Sequence, residues 1–133
     1  MAPLKVIIVG GHGNVALRLA RLLSSSHTVT SVIRTHDHTQ DISAARAIPL
    51  LLSLEDSPVA DFSNAFEGAD VVVFSAGAGG KGGPERTRKV DYEGAVKVFD
   101  AIEGINGPKP RLILVSAIDI RDPDKIPEHY VSK

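Results

Sequence analysis

The sequence predicts a three-layer α/β/α fold built on a doubly wound parallel sheet with strand order 3-2-1-4-5. Three observations predict it. Short apolar runs alternate with longer amphipathic stretches along the whole chain of 133 residues, and strands that alternate with helices build parallel sheets through right-handed crossovers. The first run, Leu4 to Val9, is apolar apart from Lys5, as a strand buried on both faces should be. A glycine turn, Gly10-Gly11-His12-Gly13, leads directly from that run into a helical pattern.

Each element has its own reason. After the strand Leu4–Val9, a helix is expected over Asn14–Leu23, with Val15, Leu19, Leu22 and Leu23 spaced i, i+4, i+7 and i+8 along one face. Thr28–Ile33 is β-branched and reads as the second strand. His36–Ala47 is polar and reads as a loop with a short helix, and Ile48–Leu54 is the third strand. Ser57-Pro58 gives an N-cap followed by proline at the first helical position, so a helix runs from there to Glu67 and ends at Gly68. Asp70–Ser75, centred on Val71-Val72-Val73-Phe74, is the fourth strand, and Ala76–Pro84 is a glycine-rich loop. Glu85–Glu103 is the longest helix, with Ala95, Val98, Phe99 and Ile102 on one face. Leu112–Ser116 is the fifth strand, and Asp119–Lys133 is irregular. There is no internal repeat and no linker, so residues 1–133 form one domain. A ligand crevice belongs between the C-terminal ends of strands one and four, where the strand order reverses.

Composition removes several function classes. A net charge of −1 gives no electrostatic footprint for nucleic acid, and Trp is absent. There is no cysteine, which excludes disulfides, thiolate catalysis and cysteine metal sites and suits a reducing cytoplasm. Val6–Val9 is too short for the apolar centre of a secretory signal, and no stretch approaches the ~18 apolar residues of a membrane span.

The residues that carry chemistry sit at the expected crevice. Gly10, Gly13 and Ala16 form a G-x-x-G-x-x-A spacing between a buried strand and a helix, the context a dinucleotide-binding turn requires. Gly10 lets the chain turn sharply, Gly13 lets backbone N–H groups approach a pyrophosphate, and Ala16 is small where helix packs on strand. The helix N-terminus adds donors and a partial positive charge. The competing reading is a plain tight turn, which needs fewer glycines. At the end of strand two, NAD enzymes place an acid for the ribose hydroxyls. This chain has Arg34 there and no acid before Asp37. An arginine binds a 2′-phosphate through charge-assisted bonds, so the expected cofactor is NADP, with NAD the alternative; a solvated arginine is the competing reading. The missing acid also argues against a methyltransferase. Leu54 and Glu55 end strand three, near the expected adenine, although Glu55 and Asp56 equally suit the next helix N-terminus. Ser75 to Gly80 supplies a small-residue lip on the other side of the crevice, and its continuation Lys81-Gly82-Gly83 lacks the Ser or Thr of a phosphate loop after Lys81. His36-Asp37-His38 has no further ligand cluster beside it and reads as a solvated loop rather than a metal site. Asp119, Asp122 and Asp124 read as turn residues around Pro123.

The stretches Val6–Ala16, Gly68–Gly77, Val90–Ala95 and Leu112–Ala117, in this order and spacing, resemble the atypical short-chain dehydrogenase/reductases of the NmrA-like NAD(P)-binding type, including their small fungal members. The resemblance covers essentially the whole chain. It implies a Rossmann fold. It also implies that Gly10, His12, Gly13, Asn14 and Val15 lie on the pyrophosphate and Arg34 near the adenosine ribose. Ala76, Gly77 and Ala78 would flank the cofactor from the other lip, and Ser116 would face the nicotinamide. Active relatives carry a Tyr-x-x-x-Lys pair after strand five, in which the lysine lowers the tyrosine pKa. Here Tyr130 and Lys133 are spaced by three. That spacing can share a helix face, but Tyr130 lies in a segment that resembles one preceding the catalytic tyrosine. Relatives also continue past this point with a substrate-binding part. Strand five is thus expected to be covered by further chain or by a second copy in a homodimer. Two functions follow: an NADP-dependent oxidoreductase acting on a small-molecule substrate, or its cofactor domain; and a non-catalytic NADP-binding redox sensor or regulatory module. A flavodoxin-like FMN protein is a weaker third reading, because the hydroxyl-rich phosphate loop is missing.

Overall fold

Successive side chains of a strand point to opposite faces, so an uninterrupted apolar strand needs cover on both. That is the situation of β1 (Lys5–Val9) in the computed structural model, which describes residues 2–77 and 83–115. Ile7 and Val9 join a core with Phe62, Phe66, Val98 and Ala101 on one side. Val6 and Ile8 join a second core with Ala16, Ala20 and Ile42 on the other. β2 (Thr28–Ile33) and β4 (Val71–Phe74) pair with β1 in parallel, so that Ile7 lies beside both Thr30 and Val72. β3 (Ile48–Leu51) and β5 (Arg111–Leu114) complete the sheet in the expected order 3-2-1-4-5. The result is a Rossmann-like sheet with helices on both faces.

The helices depart from expectation in informative ways. α1 (Asn14–Leu23) has its expected bounds but a different buried face. Ala16 and Ala20 are fully buried, whereas Val15 is 56% and Leu22 75% exposed. Small residues at the contact let the helix axis come close to the sheet, and Leu17, Leu19 and Leu23 fill the flanks. The polar stretch after β2 forms a 3₁₀ turn over His36–His38 that runs into α2 (Thr39–Ala44). β3 stops at Leu51, shorter than expected, with one further bond from Leu52 N–H to the Ile33 carbonyl.

α3 (Val59–Phe66) begins one residue later than its proline suggests. Pro58 itself is the extended residue before the helix, and Ser57 does not cap it. The Ser57 hydroxyl instead accepts from Ser53 N–H at 2.9 Å, closing the turn after β3. The expected single helix over Glu85–Glu103 is three pieces: α4 (Gly83–Thr87), a π-helical turn over Arg88–Glu93, and α5 (Gly94–Glu103). A π turn takes extra residues and shifts the register of everything beyond it. Within α5 the expected face holds at Val98 and Ile102, which are buried with Ala101, while Phe99 at its edge is 39% exposed.

Candidate functional site

The turn after β1 is built from three glycines with three different reasons. Gly10 has φ +80°, and a side chain there would sit 2.5 Å from the Ala76 Cα, just beyond β4. At Gly11 a side chain would meet Ser31 Cβ at 2.5 Å, and the Gly11 N–H donates to the Val32 carbonyl at 2.9 Å. Both glycines are thus required by the packing of the turn against its neighbours. Gly13 is not. Its backbone is extended, with φ −63° and ψ 157°, and the nearest atoms to an added Cβ are 3.5 and 3.9 Å away. It precedes α1, whose N-terminus has no side-chain cap. Uncapped N–H groups at a helix start attract an anion.

These residues line a cleft of about 500 Å³ at the C-terminal ends of the strands. Val9, Val32 and Ser75 lie along its sheet side, and Ala76 and Gly77 form the lip beyond β4. Leu52, Ser53, Leu54 and Glu55 line it after β3. The turn carrying them is fixed from α5: Lys97 Nζ donates to the carbonyls of Leu54 and Ser57, at 2.7 Å each. Ser53 Oγ accepts from the N–H groups of Glu55 and Asp56. Glu55 pairs with Arg86 of α4 at 3.6 Å, and no side chain caps the start of α3.

Beyond β2 the wall is basic and aromatic. Arg34 lines the cleft, its side chain is exposed, and among the described residues it has no ion-pair partner. His38 lies in the same wall. Its ring stacks on His12 with centroids 3.5 Å apart and planes 5° apart. His12 Nε2 is in turn bonded to Asp41 Oδ2 at 2.7 Å. Burial lowers the His38 pKa, and the neighbouring charges of His12 and Arg34 lower it further, against the opposing pull of Asp37 and Asp41.

Most of the site residues expected from sequence meet in this one cleft: Gly10, His12, Gly13, Arg34, Leu54, Glu55, Ala76 and Gly77. Asn14 and Val15 are outside its lining, exposed in the first turn of α1. Ala78, Ser116 and Tyr130 lie outside the described residues. His38 is the residue that sequence reasoning missed. Its polar surroundings read as a solvated loop, but the 3₁₀ turn, in which Thr35 Oγ1 accepts from Asp37 N–H, carries it into the cleft wall. Val90 also lines the cleft, a position that no pattern in the sequence gives reason to place there.

The family described as NAD(P)H-binding matches residues 10–132 of this sequence. The chain belongs to that family. Among curated relatives, a UPF0659 protein of Schizosaccharomyces pombe is 46% identical over 129 residues, which covers 93% of this chain and 51% of the relative. A Bacillus subtilis protein named as an uncharacterized sugar epimerase is 32% identical, over 98% of this chain and 64% of its own length. This NAD(P)H-binding chain thus spans between half and two thirds of the curated relatives it matches. A Bacillus halodurans structure assigned to the NAD-dependent epimerases/dehydratases superposes with a TM-score of 0.77 at 32% identity, over 95% of this chain and 57% of that one. Yeast methylglyoxal/isovaleraldehyde reductase shares the fold, with a TM-score of 0.70 at 16% identity over 85% of this chain and 37% of that one. No helix among the described residues is long and apolar enough to cross a membrane.

Proposed function

We propose that the cleft prefers NADP(H) to NAD(H) and that the chain is the cofactor-binding part of an NADP-dependent oxidoreductase of the NmrA-like type, working in the cytoplasm. The observation that carries the preference is Arg34, exposed in the cleft wall at the end of β2 and free of any ion pair among the described residues. A carboxylate at that position would repel a ribose phosphate, whereas a free guanidinium attracts it.

The fit of a dinucleotide rests on Gly13, where the fold leaves room that it does not itself use. The first-turn N–H groups of α1, including those of Asn14 and Val15, hold the pyrophosphate. Leu54 and Glu55 border the adenine, with Glu55 kept in place by Arg86. Gly10 and His12 support the pyrophosphate from the turn, and Ala76, Gly77 and Ala78 flank the nicotinamide half. Ser116 orients the carbonyl of a small-molecule substrate. When bound, the cofactor supplies the hydride for that carbonyl. Tyr130 is the available proton donor, and a second copy of the chain is the proposed cover for β5. A second reading, a non-catalytic NADP-binding sensor, is favoured by the three-residue spacing of Tyr130 and Lys133. NADPH turnover against a panel of carbonyl compounds separates the two, since binding without turnover selects the sensor.

Calorimetric titration with NADP and NAD tests the preference. NADP is expected to bind more tightly, and Arg34→Ala to weaken NADP by roughly 10- to 100-fold, the worth of a lost charge-assisted bond. Equal or tighter binding of NAD by the unaltered chain would remove the basis of the assignment.

A further inference from the structure

The Arg34 corner of the cleft brings two histidines together, of which His38 has no part in the dinucleotide turn. His12 comes from the turn after β1 and His38 from the 3₁₀ turn after β2, and their rings lie face to face at 3.5 Å. Asp41 of α2 fixes His12 through a 2.7 Å bond to Nε2. His38 has no such anchor. Neither of its ring nitrogens has a hydrogen-bond partner among the described residues, and it lines the cleft together with Arg34.

We propose that His38, held on the face of His12 beside Arg34, is a protonation-dependent contact for the ribose phosphate, so that preference for NADP(H) over NAD(H) rises as the pH falls from about 8 to 6. The inference rests on the NADP reading above and deepens it.

The charges around His38 explain why it switches. His12 faces it from the β1 turn and Arg34 from the end of β2, while Asp37 adjoins it in its own turn and Asp41 lies in α2. Burial and the two basic neighbours outweigh the two carboxylates, so the free cleft keeps His38 neutral to a lower pH than an ordinary histidine. A phosphate bound at Arg34 adds up to two negative charges at this corner and reverses that balance. By linkage, a ligand that raises the His38 pKa binds with proton uptake, and its affinity increases as the pH drops. NAD lacks the phosphate and gains nothing from the proton. The phosphate's own protonation near pH 6 acts in the opposite direction, so its contribution has to be separated.

The test uses the unaltered chain first. Histidine NMR signals are followed against pH with adenosine 2′,5′-bisphosphate, with AMP and with neither. The His38 pKa is expected to rise with the bisphosphate and stay in place with AMP. NADP and NAD affinities are then measured at pH 6.2 and pH 8 for the unaltered chain and for His38→Gln, with thermal unfolding of the free proteins as the folding control. The ratio of NADP to NAD affinity should change about fourfold more between pH 8 and pH 6.2 with His38 than with Gln, the effect of roughly one unit of pKa change read over that range. An unmoved His38 signal, or equal pH slopes in the two proteins, overturns this inference while NADP preference stands. Absence of NADP preference at every pH overturns the cofactor reading and this inference together.

Discussion

Gly10 and Gly13 are neighbours in one turn, yet they answer to different constraints. Gly10 combines positive φ with a 2.5 Å approach to backbone, so Gly10→Ala is expected to lower the unfolding free energy by about 2–4 kcal/mol in denaturant titration. Gly13 has an ordinary backbone and open surroundings. Gly13→Ala should therefore stay within about 1 kcal/mol of the parent, the range of an N-cap change, while its dinucleotide affinity falls. Gly13→Val should abolish binding of either cofactor, and a folded Gly13→Val chain that keeps its affinity would contradict the role given to the turn. The G-x-x-G-x-x-A spacing was readable because its constraint is local. The division in which Gly10 turns the chain and Gly13 leaves space was readable too; that Gly11 is closed off by Ser31 was not, because Ser31 arrives from another strand. His38 was hidden for the same reason: its stacking partner belongs to a different turn.

Among the elements, β2 carries the least expected residue of the core. Ser31 is fully buried beneath Gly11, and its Oγ has no hydrogen-bond partner among the described residues. Its small size permits the glycine turn to settle on β2, and its hydroxyl contributes only desolvation cost. Ser31→Ala is expected to raise stability by about 1 kcal/mol, the lower end of the penalty for an unsatisfied buried group. Ser31→Val should lower it, because the added methyl groups press on Gly11. A loss of stability in Ser31→Ala, measured by the same titration, would mean that the hydroxyl does have a partner. The bounds of α1 and β2 were legible to the residue. The buried face of α1 was not, because apolar spacing does not reveal that Ala16 and Ala20 make the close contact; nor was the π turn over Arg88–Glu93 that interrupts the long helix before α5.

For the whole molecule, the cleft joins both halves of the sheet, so a dinucleotide bridging it should stabilise the fold. At about one hundred times its Kd, NADP is expected to add about 2.7 kcal/mol and raise Tm by roughly 10 °C, with a smaller shift from NAD at equal concentration. Absence of any shift with either would count against the cleft as the cofactor site. Among the described residues β5 pairs on one side only, and Ile113, Leu114 and Val115 are 43–50% exposed. By itself the sequence determined the alternation of strands and helices, the sheet order and the position of the glycine turn. These follow from periodicity and from connection rules that act over short stretches. Only the tertiary structure decided which faces the helices bury, that Glu55 pairs with Arg86, and that His12 and His38 stack beside Arg34. Those outcomes depend on parallel strands bringing the ends of distant segments to one edge of the sheet, a meeting that no local pattern of residues records.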